Sequence, residues 1–475
     1  MAVMTSPLNQ TAAPGEAVRV RIVHENGDPL DVGTGCSAFL RVGDLPEKIR
    51  LPIEDGVIKF NAPDVPDGPC PIEITLDGTS PGSTSSIKLT LPMNILRRMR
   101  KISFDSLGRM FVEGKPFMPL GFFSNGANPR ERQCLRESGA NVILPYNSYG
   151  GLGWNIEDIR RNIAELDAIG VKTIFSMSAV FPGIRWSRTE FDGAKGCEAV
   201  VEKTVAGLRD TPGLLAWYLN DELSFSTMLM ERRDHVAALD PDHPTLVEVF
   251  QVDSAAAYHR TSDAFGVASY PVKDLPPAET ALPSSKIERH CAAFGADGFP
   301  VWGIPQAHNP VVYGKEGGRA PTEEEMRTIA LAFAGRGAKG FVFYMLSDLW
   351  SKKQLPDGET AFAAHWPEVC RVFAFLRSFE PWIMSATPVR KLPQSAISAT
   401  GDVSAYIFRD DSGHARIAIV AAGPGRSSAT VTLKGKWRSL FGRTNECGGN
   451  TWTFSGEGIC SDVLEKLEPS TTNPR

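Results

Sequence analysis

Between residues 102 and 385, short apolar runs alternate with stretches of helical period, and this alternation limits the fold more than any other feature. Buried parallel strands read as short, nearly continuous apolar runs, because crossover helices cover both faces of their sheet. The strand candidates are residues 117–123, 142–145, 171–177, 214–221, 245–250, 264–270, 301–306 and 340–345. Among the intervening stretches, Ile156, Ile159, Ile163 and Leu166 recur at helical spacing behind Asn155, a favourable N-cap, and Gly170 ends the pattern. Thr322 with Glu325 three residues on predicts a capping box, and Met326, Ile329, Ala330 and Phe333 form that helix's inner stripe. Eight such units in under about three hundred residues fit a closed (β/α)8 TIM barrel better than a doubly wound sheet. No glycine-rich dinucleotide fingerprint follows any of the strands.

A chain of 475 residues exceeds one ordinary core. Residues 1–102 alternate as short strands (18–23, 37–42, 57–60, 72–76, 87–91) between turn-rich segments at 26–29, 67–69 and 78–85, which predicts an N-terminal β-sandwich. The basic run Arg97-Arg98-Met99-Arg100-Lys101 marks the crossing into the barrel, 103–385. Strands return at 403–408, 415–420, 429–433 and 451–454, with Asp410-Asp411-Ser412-Gly413 as a hairpin turn, so 386–475 reads as a C-terminal β-domain. The polar tail from Glu468 is expected to be disordered. The class is therefore α/β, a barrel between two β-domains.

A formal charge of -5 gives no electrostatic reason to bind nucleic acid, and no apolar run reaches membrane-spanning length. Met1 to Pro14 lacks the pattern of a signal peptide. Eight cysteines show no CxxC spacing; Cys36/Cys70 and Cys447/Cys460 each fall inside one β-rich region, as a disulfide would in an exported protein. An extracellular or periplasmic location is the expectation from that hint, with the cytoplasm as the alternative. The oligomeric state is not legible.

The run Gly213 to Glu222 is apolar until it stops on Asp221 and Glu222. In a barrel, chemistry sits where strands end. The bland alternative is that the pair caps a helix starting near Ser224. The other strand ends carry Tyr146 and Asn147; Ser178, then Trp186; Tyr218 and Asn220; Glu248 and Gln251; Tyr270; Gln306 and His308; and Asp348 and Trp350. Aromatic faces stack on sugar rings while amides and carboxylates hold hydroxyls, so this mixture fits a carbohydrate substrate. His308 has no evident ligand partner, so no metal site is expected, and GxSxG, HExxH and P-loop motifs are absent.

Trp217-Tyr218-Leu219-Asn220-Asp221-Glu222 resembles the strand-four motif of the clan A glycoside hydrolases, which reads Trp, three residues, then Asn-Glu. The segment from Phe111 to Phe123 is similar to how those barrels begin, as is the flanking by β-sandwich domains. The resemblance implies cleavage of O-glycosidic bonds without a cofactor, Glu222 as general acid/base, and Trp350 as the floor of the sugar site. Two positions depart from the clan: Asp221 stands for its Asn, and Gln306 stands where its nucleophilic Glu is placed. An amide cannot form a glycosyl ester. The adjacent Asp221-Glu222 pair resembles the substrate-assisted β-hexosaminidases, whose substrate acetamido group attacks while the Asp stabilises it. The alternatives are Glu248 or Asp348 as second carboxylate, and a degenerate barrel that binds glycan without cleaving it.

Overall fold

The fold, taken from a computed structural model, is described for residues 2–6, 10–24, 37–42, 49–51, 53–54, 56–77, 86–184, 187–250, 252–295, 298–351 and 358–467. The turns expected at 26–29 and 78–85, Cys36, Trp186, Gln251 and the tail from Glu468 lie outside them.

Eight parallel strands close into a barrel in chain order. They are β1 (Leu120–Ser124), β2 (Val142–Pro145), β3 (Lys172–Ser176), β4 (Leu214–Asp221), β5 (Thr245–Glu248), β6 (Ala264–Ser269), β7 (Val301–Pro305) and β8 (Phe341–Phe343). The α/β TIM-barrel expectation holds. Phe117, where the first strand candidate begins, does not belong to β1. Lys115–Phe117 pairs with Met110–Val112, which pairs with Ile102–Phe104, in a small antiparallel sheet. Ile102 and Met110 join the buried cluster of inward barrel residues, among them Phe123, Leu215, Leu246 and Trp302. Ile102 N donates to Asp242 O, ahead of β5, and Gly108 packs on Pro300, ahead of β7, so this sheet closes the amino end. The carboxyl end is left for a site.

Seven α-helices of ten residues or more, among the described residues, surround the barrel: α1 (Pro129–Ser138), α2 (Ile156–Asp167), α3 (Cys197–Leu208), α4 (Thr227–Leu239), α5 (Ser284–Gly295), α6 (Glu323–Ala334) and α7 (Gly358–Ile383). Asn155 caps α2, its side chain accepting from Asp158 N, and Thr322 and Glu325 form the predicted capping box on α6. The connection from β5 to β6 is formed by a 3-10 run, Val252–Arg260, in place of an α-helix. Helix α4 is N-capped by Ser226, so Asp221 is not a cap.

The amino-terminal part forms two four-stranded antiparallel sheets around a separate core that includes Val18, Val20, Leu40, Ile72 and Ile74. The basic run straps it to the barrel: Arg100 bonds Thr11 O and Glu16, while Arg98 bonds Asp242. In the carboxy-terminal part, the two strands expected at 415–420 and 429–433 are one strand, Ala415–Thr432, and the strand expected at 451–454 runs on as Thr451–Lys466. Gly423-Pro424-Gly425 reads as a break in sequence, yet the pairing passes it through a register shift between Ala422 and Arg426. The turn at 410–413 is closed by Gly413 N donating to Asp410 O. One face of this sheet, with Tyr406, Phe408 and Val463, packs into the core around the barrel helices. Cys447 is an exposed thiol and Cys460 a buried one, so the disulfide expected between them is not formed; Cys70 is buried.

Candidate active site

Strand β4 is buried from Leu214 through Asn220 and releases its chain at Asp221, which is half-buried. Tyr218, three residues earlier on the same strand, donates to Asp221 Oδ1 at 2.6 Å, and Tyr146, just beyond β2, donates to Asp221 Oδ2. Asp221 stands in register with Glu248 of the neighbouring strand, and the Tyr218 hydroxyl also reaches the Glu248 carboxyl. Burial, and then the nearby Glu222, push Asp221 up to about 7. Glu248 is only 3% exposed; burial and the charges of Asp221 and Glu222 hold it well above the usual carboxylate range. Like-charged carboxyls at this spacing cannot all ionise, and the deepest keeps its proton most firmly.

Glu222 departs from the strand with φ +53°, a left-handed conformation uncommon for a side-chain-bearing residue, and its carboxyl reaches solvent. Desolvation raises its pKa, and the charge of Lys286 on α5 pulls the other way. The greater rise falls on the more enclosed Asp221. Non-glycine residues are held in this region where the surroundings over-determine them, commonly at functional sites.

Aromatic side chains wall this group. Tyr270, after β6, lies 5.4 Å from Tyr344, after β8, and 5.3 Å from His308, after β7, by ring centroids. Phe123 of β1 sits against Tyr344, Tyr218 and Tyr146. Tyr313 packs edge-on against His308, and its hydroxyl lies 3.2 Å from that of Tyr344 while donating to Asp348. His308 is buried, its Nδ1 3.0 Å from Tyr344 O, and burial pushes it down to about 4, so it is neutral at pH 7. A cavity of about 500 Å³ opens beside Asp221, lined by Tyr146, Asn147, Ser178, Arg188, Thr189 and Glu190. That volume suits a small ligand.

The structure thus brings Tyr146, Tyr218, Asp221, Glu222, Glu248, Tyr270 and His308 together at the carboxyl end. Asn147 lines the cavity and is exposed. Three residues read as ligand-facing are spent elsewhere. Asn220 is fully buried and accepts from Leu223 N, holding the turn after β4. Gln306 is also fully buried: its Oε1 accepts from Val272 N at 2.9 Å, and its Nε2 donates to Val272 O and His308 O. Trp350 does not floor the site; it lies under Arg130, 4.3 Å from the guanidinium carbon to the ring, and edge-on to Phe362 of α7. Asp348 is engaged by Tyr313. Sequence reasoning passed over Tyr344 and Tyr313. Tyr344 lies within the eighth strand candidate, 340–345, whereas Tyr313 stands in a short 3-10 turn, Pro310–Tyr313, with no periodic signal.

The chain matches no family model and none of the curated proteins. Among solved structures it is similar to a pullulanase from Paenibacillus barengoltzii, with 11% identity over 96% of this chain and 95% of that one and a TM-score of 0.48. It is also similar to a β-L-arabinopyranosidase from Geobacillus stearothermophilus, with 11% identity over 74% of this chain and 97% of that one and a TM-score of 0.44. A third likeness is to a β-D-glucuronidase from Dictyoglomus thermophilum, with 14% identity over 77% and 68% of the two chains and a TM-score of 0.37.

Proposed function

We propose that the chain hydrolyses O-glycosidic bonds of an oligo- or polysaccharide, with Glu222 as general acid/base. The observation that carries this is the convergence of Asp221, Glu222 and Glu248 at the carboxyl ends of β4 and β5, inside a wall of tyrosines. Glycosidic cleavage requires a proton for the leaving oxygen and negative charge against an oxocarbenium-like centre. Glu222 is the carboxyl of the three that faces solvent, and its raised pKa suits it to deliver a proton and take one back from water. Asp221, held by two tyrosine donors, supplies the charge. With a 2-acetamido sugar, that charge orients and stabilises the substrate's own attacking amide, as the Asp-Glu resemblance implies.

The register of Asp221 with Glu248 favours a second reading. There the neighbouring strand supplies the second carboxylate, and the acetamido group is dispensable. Gln306 is unavailable for that part under either reading, since its amide is tied to backbone on both sides.

Purified chain assayed on aryl glycosides, with and without a 2-acetamido group, tests both. Glu222→Gln is expected to lose at least ~100-fold in turnover. Activity confined to 2-acetamido substrates and lost in Asp221→Asn supports substrate assistance, while activity on ordinary glycosides lost in Glu248→Gln supports the second reading. Glycan binding with no turnover by the wild type would replace hydrolysis by a non-catalytic, carbohydrate-binding role.

A further inference from the structure

Trp154 is the most exposed large apolar side chain among the described residues, at 72%, whereas Trp217, Trp302 and Trp366 are buried. It stands at the edge of a groove of about 970 Å³ that runs between α1 and α2 and meets the Asp221 cavity at Asn147, which lines both. An exposed indole on a mobile loop would say little, but this one is braced. A Cβ at Gly150 would fall 3.3 Å from the indole Cη2 and 3.3 Å from Asn147 Nδ2, so one edge of the ring rests on bare backbone that glycine alone leaves open. The segment under it is tied down: Gly151 N donates to Asn147 O at 2.7 Å, Tyr149 bridges Gly153, and Asn162 Nδ2 on α2 donates to Leu152 O at 2.8 Å. Gly126 and Gly151 pack backbone to backbone beside it, with no room for a side chain at either.

The charged residues along the groove sum to zero, Arg132, Arg136 and Arg161 against Glu131, Asp158 and Glu165. Arg161 pairs with Asp158, and Arg132 pairs with Glu165 at 2.9 Å. A groove of balanced charges and amides with a rigid indole offers hydrogen bonds and a stacking face but no net charge, which fits a neutral, polyhydroxylated chain better than an ionic ligand.

We propose that Trp154 is the stacking platform of a distal sugar-binding subsite, so that the substrate is a neutral glycan chain extending from the Asp221 cavity past Asn147 onto the indole. This rests on the carbohydrate reading of the Asp221 site, and it adds that the ligand extends beyond the cavity beside Asp221. Stacking geometry, rather than the Trp side chain's bulk, carries the affinity.

The test is affinity electrophoresis through gels containing soluble xyloglucan, glucomannan, galactomannan, pullulan, hydroxyethyl cellulose or glycol chitin, with Glu222→Gln as the parent so that the polymer is not consumed. The parent is expected to be retarded by at least one polymer. Trp154→Ala in that background is expected to weaken retardation about 10-fold and Trp154→Phe by less than about 3-fold. Thermal midpoints should stay together, since the indole is mostly outside the packed core. Retardation of Trp154→Ala equal to the parent's, or none of the parent by any polymer, would overturn the platform. Retardation lost with Trp154 but accompanied by no hydrolysis in the wild type would leave the platform standing and remove the hydrolase.

Discussion

Replacing Asp221 by Asn should make the protein more stable above neutrality and less active. An ordinary Asp gives up its proton near 3.8, and enclosure beside Glu222 raises Asp221 to about 7. At 1.36 kcal/mol per pH unit, the anion therefore costs the fold about 4 kcal/mol once it is fully formed. The sign follows from linkage: the folded carboxyl binds its proton more tightly than the unfolded one. Stability contributed by this residue thus falls as pH rises from about 4 to about 7 and is level beyond. Asn carries no charge at any pH. Its amide keeps one acceptor for the two hydroxyls of Tyr146 and Tyr218, which returns about 1 kcal/mol of the gain, and water reaching the half-buried site returns more. The expected net is about 2 kcal/mol in favour of Asp221→Asn at pH 8 and about zero at pH 4. Thermal unfolding of both proteins across that range, read on tryptophan fluorescence, measures it. A difference that does not grow with pH would refute the enclosure of Asp221, whatever happened to activity.

Four further outcomes are expected. Glu222→Gln should lower turnover at least ~100-fold with little change in the unfolding midpoint, because its side chain is solvent-facing. Tyr218→Phe removes a donor that favours the charged form of Asp221, so the acid limb of the kcat/KM profile should move to higher pH by about one unit; movement to lower pH would contradict the hydrogen bond. Gly121→Ala would put a Cβ 1.7 Å from Val142 O, inside the barrel wall where neither strand can yield, and should cost at least about 3 kcal/mol or give insoluble protein. Gln306→Glu should destabilise by a similar amount, measured by denaturant midpoint, and should not raise activity, because the new carboxylate would face the carbonyls of Val272 and His308.

The barrel was legible because its signals are local and repeated. Strand-length apolar runs, the Asn155 cap and the Thr322 capping box each follow from a few adjacent residues, and each recurs in the structure at or within a few residues of where the pattern puts it. The long carboxy-terminal strands were not legible for a related reason. Gly423, Pro424 and Gly425 carry the local chemistry of a turn, and only the partner strand Thr451–Lys466, far along the chain, holds them in the sheet. Phe117 failed likewise, since the apolar run from it continues into β1 and nothing local shows that Lys115–Phe117 pairs backward with Met110–Val112.

The site divides along the same line. A strand end predicts where a side chain emerges, and Tyr146, Asp221, Glu248 and Tyr270 emerge into one group for that reason. What a strand end does not state is whether the emerging group is still free to act. Gln306 and Asn220 are polar, correctly placed along their strands, and consumed by main-chain donors and acceptors that the loops bring back to them. The buried backbone of those loops has to be satisfied by something, and an amide, with both a donor and an acceptor, is the side chain best able to do it. A carboxylate is different. It only accepts, it resists burial, and it raises its neighbours' pKa, so finding three at two adjacent strand ends costs stability that packing alone would not require. Asp221 and Glu248 in register beneath one tyrosine hydroxyl are therefore a stronger pointer to chemistry than any count of polar strand ends, and while both strand ends are legible in the sequence, their register is not.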